Sequence, residues 1–79
     1  MVNMITKEKT KQLYAATQGE LDKQHHIQVV EPKSGKGIIV KLWYSRNEFT
    51  DSELLDEKHY RHDGTIRDKN GKVLGNWNQ

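Results

Sequence analysis

Ile38-Ile39-Val40-Lys41-Leu42-Trp43-Tyr44 is the stretch on which the fold turns. β-Branched and aromatic residues dominate it, as a half-buried strand requires. Its alternation sends Ile38, Val40, Leu42 and Tyr44 to one face and Ile39, Lys41 and Trp43 to the other. One face is therefore wholly apolar and the other mixed. Upstream, His26-Ile27-Gln28-Val29-Val30 is a second β-rich run that ends at Glu31-Pro32. Between the two, Pro32-Lys33-Ser34-Gly35-Lys36-Gly37 has the residues of a turn. The pair predicts an antiparallel hairpin.

Toward the N-terminus, Thr6 is a suitable cap for a helix over Lys7 to Gln18, with Glu8 in its first turn and Gly19 as its stop. The apolar face of that helix is thin (Ile5, Leu13 and Ala16, with Tyr14 to one side), so it needs a sheet to lie on. Toward the C-terminus, Thr50-Asp51-Ser52-Glu53 has the capping-box pattern of a short helix, with Leu54 and Leu55 as its buried contacts. Tyr60 to His62 or Thr65 to Arg67, and then Lys72 to Leu74, read as short strands, with Asp63-Gly64 and Asn70-Gly71 as two-residue turn signals. The order predicts an α+β fold: one domain over residues 1–79, an N-terminal helix packed on an antiparallel sheet of two β-hairpins, and a short helix between the hairpins.

Composition narrows the function classes. A chain of 79 residues has room for one domain with a small core. With 33% hydrophobic and 30% charged residues but a net charge of only +2, it sits at the polar end of foldable sequences, outside the disordered class. There is no cysteine, so no disulfide reinforces the core, and any metal site must use His, Asp or Glu. No signal-peptide pattern and no membrane-length apolar run is present, and the expectation is a soluble, cytoplasmic protein. Charge is unevenly spread: Met1 to Arg46 carries eight bases against four acids, and the remainder five against seven. Glu48 to Glu57 holds five carboxylates and no base, a pattern of either a partner surface or a solvated face.

The densest chemistry lies in Asp56-Glu57-Lys58-His59-Tyr60-Arg61-His62-Asp63-Gly64. If the segment is helical, Glu53, Asp56, His59 and His62 share one side and form a metal-binding face. As a strand, His59 and Arg61 point one way while Tyr60 and His62 point the other, which splits the chelate. Asp63-Gly64 and Tyr60 favour the strand, and neither metal nor cofactor is expected. His25-His26 reads as loop residues before a strand. A histidine beside a carboxylate also suits RNA cleavage, with Asp56, His59 and His62 moving protons and Arg61 or Arg67 neutralising the phosphate. Asp56, His59 and the closing Asn70-Gly71 hairpin are together similar to small cysteine-free ribonuclease toxins of the colicin type. The likeness is confined to a short part of the chain, its intervals do not align, and such toxins are more basic.

The turn at Lys33 and Lys36 presents backbone amides and lysines to phosphate but lacks the full phosphate-loop pattern. With Lys41 and Arg46 it makes a candidate nucleic-acid surface, although an ordinary hairpin turn is the commoner use of such residues. The aromatics mostly belong to the core, Trp43 excepted.

The reading that the sequence favours is a small non-enzymatic binding protein, an inhibitor or regulator of another macromolecule, expected to be a protein. Glu48, Asp51, Glu53 and Trp43 are its contact residues. Proteins of this size encoded by phages and mobile elements often act so. The alternative is an RNA-binding protein or a small metal-independent ribonuclease toxin.

Overall fold

The computed structural model describes residues 4–46 and 51–78. Thr6 begins the first helix as its sequence requires: its hydroxyl accepts the Lys9 N–H at 3.1 Å, and α1 runs Lys7–Gln18. Gly19 closes it in a left-handed conformation (φ 71°), donating its N–H to the Ala15 carbonyl. The helix presents Tyr14 and Thr10, both fully buried, to the sheet, and Thr10 satisfies its hydroxyl on the Thr6 carbonyl at 2.8 Å.

Five strands follow: β1 His25–Val30, β2 Gly37–Ser45, β3 Ser52–Arg61, β4 Thr65–Asp68 and β5 Val73–Asn76. They pair in sequence order, all antiparallel, as a meander. Short turns make this possible, since each strand folds back on its predecessor without a crossover. The α+β architecture with an N-terminal helix on an antiparallel sheet is thus present, and β2 is its central apolar strand.

Ile38, Val40 and Leu42 point toward the helix and form the core with Ile5, Tyr14 and Tyr60. Leu13, Leu21, Ile27, Val29, Ile66 and Trp77 pack around them. Trp77 also ties the last strand back, its indole N–H donating to the Arg61 carbonyl at 2.6 Å. Among the described residues a single helix covers one face of the sheet. The Cα radius of gyration, 13.1 Å, exceeds the roughly 12 Å of a compact chain of this length, as an open sheet should.

One element departs from expectation. Thr50 lies outside the described residues, but Ser52 and Glu53, read as the start of a short helix, begin β3 instead. Leu54 and Leu55, expected to be buried, are 39% and 47% exposed. The reason is tertiary. A helix of one or two turns is marginal on its own, whereas β2 offers this segment nine cross-strand pairs from Gly37↔Arg61 to Ser45↔Ser52. A bulge between Leu42 and Trp43 absorbs one extra residue of β3. Strands were expected at Tyr60 to His62 or at Thr65 to Arg67, and both places carry one, as the end of β3 and as β4. The turn between them uses Gly64 at φ 98°, and the β4–β5 turn uses Gly71 at φ 88°.

Candidate functional site

Residues directly opposite one another in an antiparallel pair share a face. The register therefore sorts every strand side chain to the helix face or the outer face. Across the outer face one continuous row crosses all five strands: Val30, Ile39, His59, Arg67 and Val73. Beside it runs a second row, Gln28, Lys41 and Glu57, and then a third, His26, Trp43 and Leu54.

The chemistry concentrates where the first two rows meet. His59 Nε2 lies 2.7 Å from Glu57 Oε2, the two residues being neighbours on one face of β3 because strand side chains repeat every second position. Both are partly buried. Arg67 stands across from His59 on β4, steadied by its Nε–H donating to the Thr65 hydroxyl at 3.3 Å. Asp63 lies near the Arg67 guanidinium at 3.9 Å. Hydrogen bonds from the Thr65 hydroxyl and backbone N–H hold the Asp63 carboxyl below its usual range, with Arg67 adding to the effect.

Adjoining this group is a cleft of about 150 Å³ into which Ser34 and Lys36 of the β1–β2 turn converge with His59 and Arg61 of β3. Gly37 makes the convergence possible. A Cβ there would lie 2.2 Å from the Tyr60 carbonyl oxygen and 2.7 Å from the Arg61 Cα, so only glycine lets β2 approach β3 this closely.

The residues singled out in the sequence are distributed as follows. His59, Arg61 and Arg67 share the outer face, and Lys36 reaches the same cleft. Asp56 does not. It points to the helix side, where Tyr14 donates its hydroxyl to Asp56 Oδ2 at 2.7 Å and Lys58 stands 3.9 Å away. Burial raises the Tyr14 pKa above its ordinary value, and the Asp56 carboxylate adds to the shift. His62 is also taken up elsewhere, its Nδ1 accepting the Ile5 backbone N–H at 3.2 Å.

The lysines and arginine proposed for nucleic acid are split. Lys33 and Lys36 belong to the β1–β2 turn and Arg46 follows the other end of β2, roughly 30 Å away by strand rise. Lys41 lies between them, opposite Glu57.

Trp43, Asp51 and Glu53 gather at that far end, while Glu48 lies outside the described residues. The Trp43 indole donates to Gln28 Oε1 at 2.8 Å and lines a hollow of about 470 Å³ with His26 and Ser52. Asp51 and Glu53 line an adjacent one of about 360 Å³ with Tyr44 and Arg46. His25 and His26 diverge, His25 packing its ring 5.0 Å from that of Tyr44 and bonding Asp22.

Glu57 is the site residue that sequence reasoning passed over in favour of Asp56. Period-two spacing to His59 is the signal that would have found it. Among the described residues, no three His, Asp or Glu side chains come together as a metal-ligand set, and no helix is long and apolar enough to cross a membrane. The chain matches no family model, and comparisons with curated proteins and with solved structures find no match either.

Proposed function

We propose that the outer face of the sheet binds RNA and cleaves it without a metal ion, using His59 and Glu57. The observation that carries this reading is the 2.7 Å His59–Glu57 pair with Arg67 opposite and Lys36 and Arg61 around one cleft. With the Nε2 proton donated to Glu57, the His59 Nδ1 lone pair is free to take the proton of a ribose 2′-hydroxyl. The 2′-oxygen attacks the adjoining phosphorus, the bond to the 5′-oxygen breaks, and His59 returns the proton to that oxygen. The products are a 2′,3′-cyclic phosphate and a free 5′-hydroxyl. Arg61, Arg67 and Lys36 supply positive charge where the phosphorane develops its negative charge. An arginine suits this task because it presents several donors in one plane.

Purified protein is therefore expected to cut a single-stranded RNA to cyclic-phosphate ends and to leave the all-deoxy strand intact. His59→Ala should lower the rate about 10²-fold or more with its amide NMR spectrum still dispersed. Full cleavage by the folded His59→Ala variant would remove the assignment, and an inactive native protein would remove the reading.

A second reading, that the chain binds and inhibits or regulates another protein, draws support from Trp43, Asp51 and Glu53 lying at one end of the sheet with two exposed leucines beside them. Aromatic anchors within a polar surround are typical of such contacts. Reversing Glu48, Asp51 and Glu53, or changing Trp43→Ala, should abolish capture of the partner by the immobilised chain. Unchanged capture would end this reading.

A further inference from the structure

β3 runs ten residues, Ser52–Arg61, but β4 is only four long. On that side the register pairs just Lys58↔Asp68, His59↔Arg67 and Tyr60↔Ile66. Among the described residues, no strand pairs with this edge of β3 from Ser52 to Glu57. The edge is apolar at Leu54 and Leu55, 39% and 47% exposed, and acidic around them. Where β4 ends, Leu54, Leu55, Asp56 and Glu57 border a notch of about 190 Å³ against Asp68, Lys69 and Asn70 of the β4–β5 turn.

We propose that this edge receives an extended protein segment in which basic side chains alternate with apolar ones, adding a strand to β3. The free backbone groups supply hydrogen bonds, the leucines supply apolar contact, and the charge selects the partner. Asp51, Glu53, Asp56, Glu57 and Asp68 lie along the edge, against Arg46, Lys58 and Lys69. A second copy of this chain is disfavoured by the same charges: antiparallel pairing of Ser52 to Glu57 with itself sets Glu53 against Asp56. Charge on an exposed edge blocks pairing with like strands, and here it leaves a basic strand as the complement. Glu57 ends the open stretch, so the added strand stops two residues from His59. The proposal rests on the protein-contact reading and is independent of RNA cleavage.

The test is an amide NMR titration of the intact chain with three short end-capped peptides: alternating Lys/Val, alternating Glu/Val, and Lys/Val N-methylated at alternate backbone positions. The expected result is saturable shifts over Ser52 to Glu57 with the first peptide, and binding about tenfold or more weaker with the second. The third should not bind, because it keeps the charge but cannot extend the sheet. The exposed pair Asp51→Lys with Glu53→Lys should shift preference toward the Glu/Val peptide. No binding of the first peptide, equal binding of all three, shifts confined to β1 or β5, or dimerisation through β3 would each overturn the proposal. If the peptides fail while partner capture still depends on Trp43, the protein-contact reading stands and only the strand-addition mode is lost.

Discussion

Asp56 and Glu57 are adjacent carboxylates on one strand, and they lie on opposite faces of the sheet. Asp56 turns toward the helix and accepts a hydrogen bond from the buried Tyr14 hydroxyl, fastening α1 to β3. Glu57 turns outward and meets His59. The two faces differ in the same way at the middle of the sheet. The helix face holds Val40, Leu42 and Tyr60 out of water, while the outer face carries Lys41, Glu57, His59 and Arg67. The pleat alone produces this division, and it separates stability from chemistry residue by residue along β3.

The comparison is tested most severely by Leu42→Ala, which opens a cavity on the helix face. It should cost about 3 kcal/mol, read as the shift in a urea unfolding midpoint, a large share of what so small a domain has. Ile39→Ala on the outer face should cost distinctly less, since Ile39 is only half-buried. Equal losses would mean that the outer face is packed against something.

Asp56→Asn should come next, lowering stability by about 1–2 kcal/mol through the weakened Tyr14 bond while leaving cleavage of RNA unchanged. Glu57→Gln should do the reverse, leaving the unfolding midpoint nearly unmoved and reducing cleavage. If Asp56→Asn abolished cleavage instead, the division between the faces would fail at its central point.

The pH dependence offers a finer test of the helix face. Tyr14 holds its proton more tightly folded than unfolded, first because burial disfavours the phenolate. Its contribution is therefore complete below the unfolded value of about 10, declines above it, and is lost once pH rises through the higher folded value. Tyr14→Phe should flatten the alkaline limb of a stability-against-pH curve, and an unchanged limb would show that another group governs it.

The smallest effect belongs to Asp63, whose carboxyl is held low by Thr65. Its contribution is present above the unfolded value and declines as pH falls through the folded one. Asp63→Asn should remove a minor part of the acid-side loss, measurable as a reduced slope below the ordinary aspartate value of about 4.

Alternation in Ile38 to Tyr44, the cap at Thr6, the stop at Gly19 and the glycine turns at Gly64 and Gly71 were all legible, because each is a local property of the backbone. The strand reading of the His59 segment also placed His59 and Arg61 on one face, since period two is a local rule. The site was less legible. Preferring Glu57 to Asp56 needed the strand to be carried back through a segment that reads locally as helix, and bringing Lys36 to His59 and Arg61 needed the β2–β3 register. The segment from Ser52 misled for the same reason: its capping box is a local helix signal, and a neighbouring strand overruled it.

What the sequence determined by itself was therefore every element that carries its own local signal: the helix, its caps, the β1–β2 hairpin and the turns. Tertiary structure alone decided that β3 begins as early as Ser52, which face of it the helix covers and the free edge beside Leu54 and Leu55. Those depend on pairing between strands, where the partner's backbone supplies hydrogen bonds that the segment's own pattern does not encode.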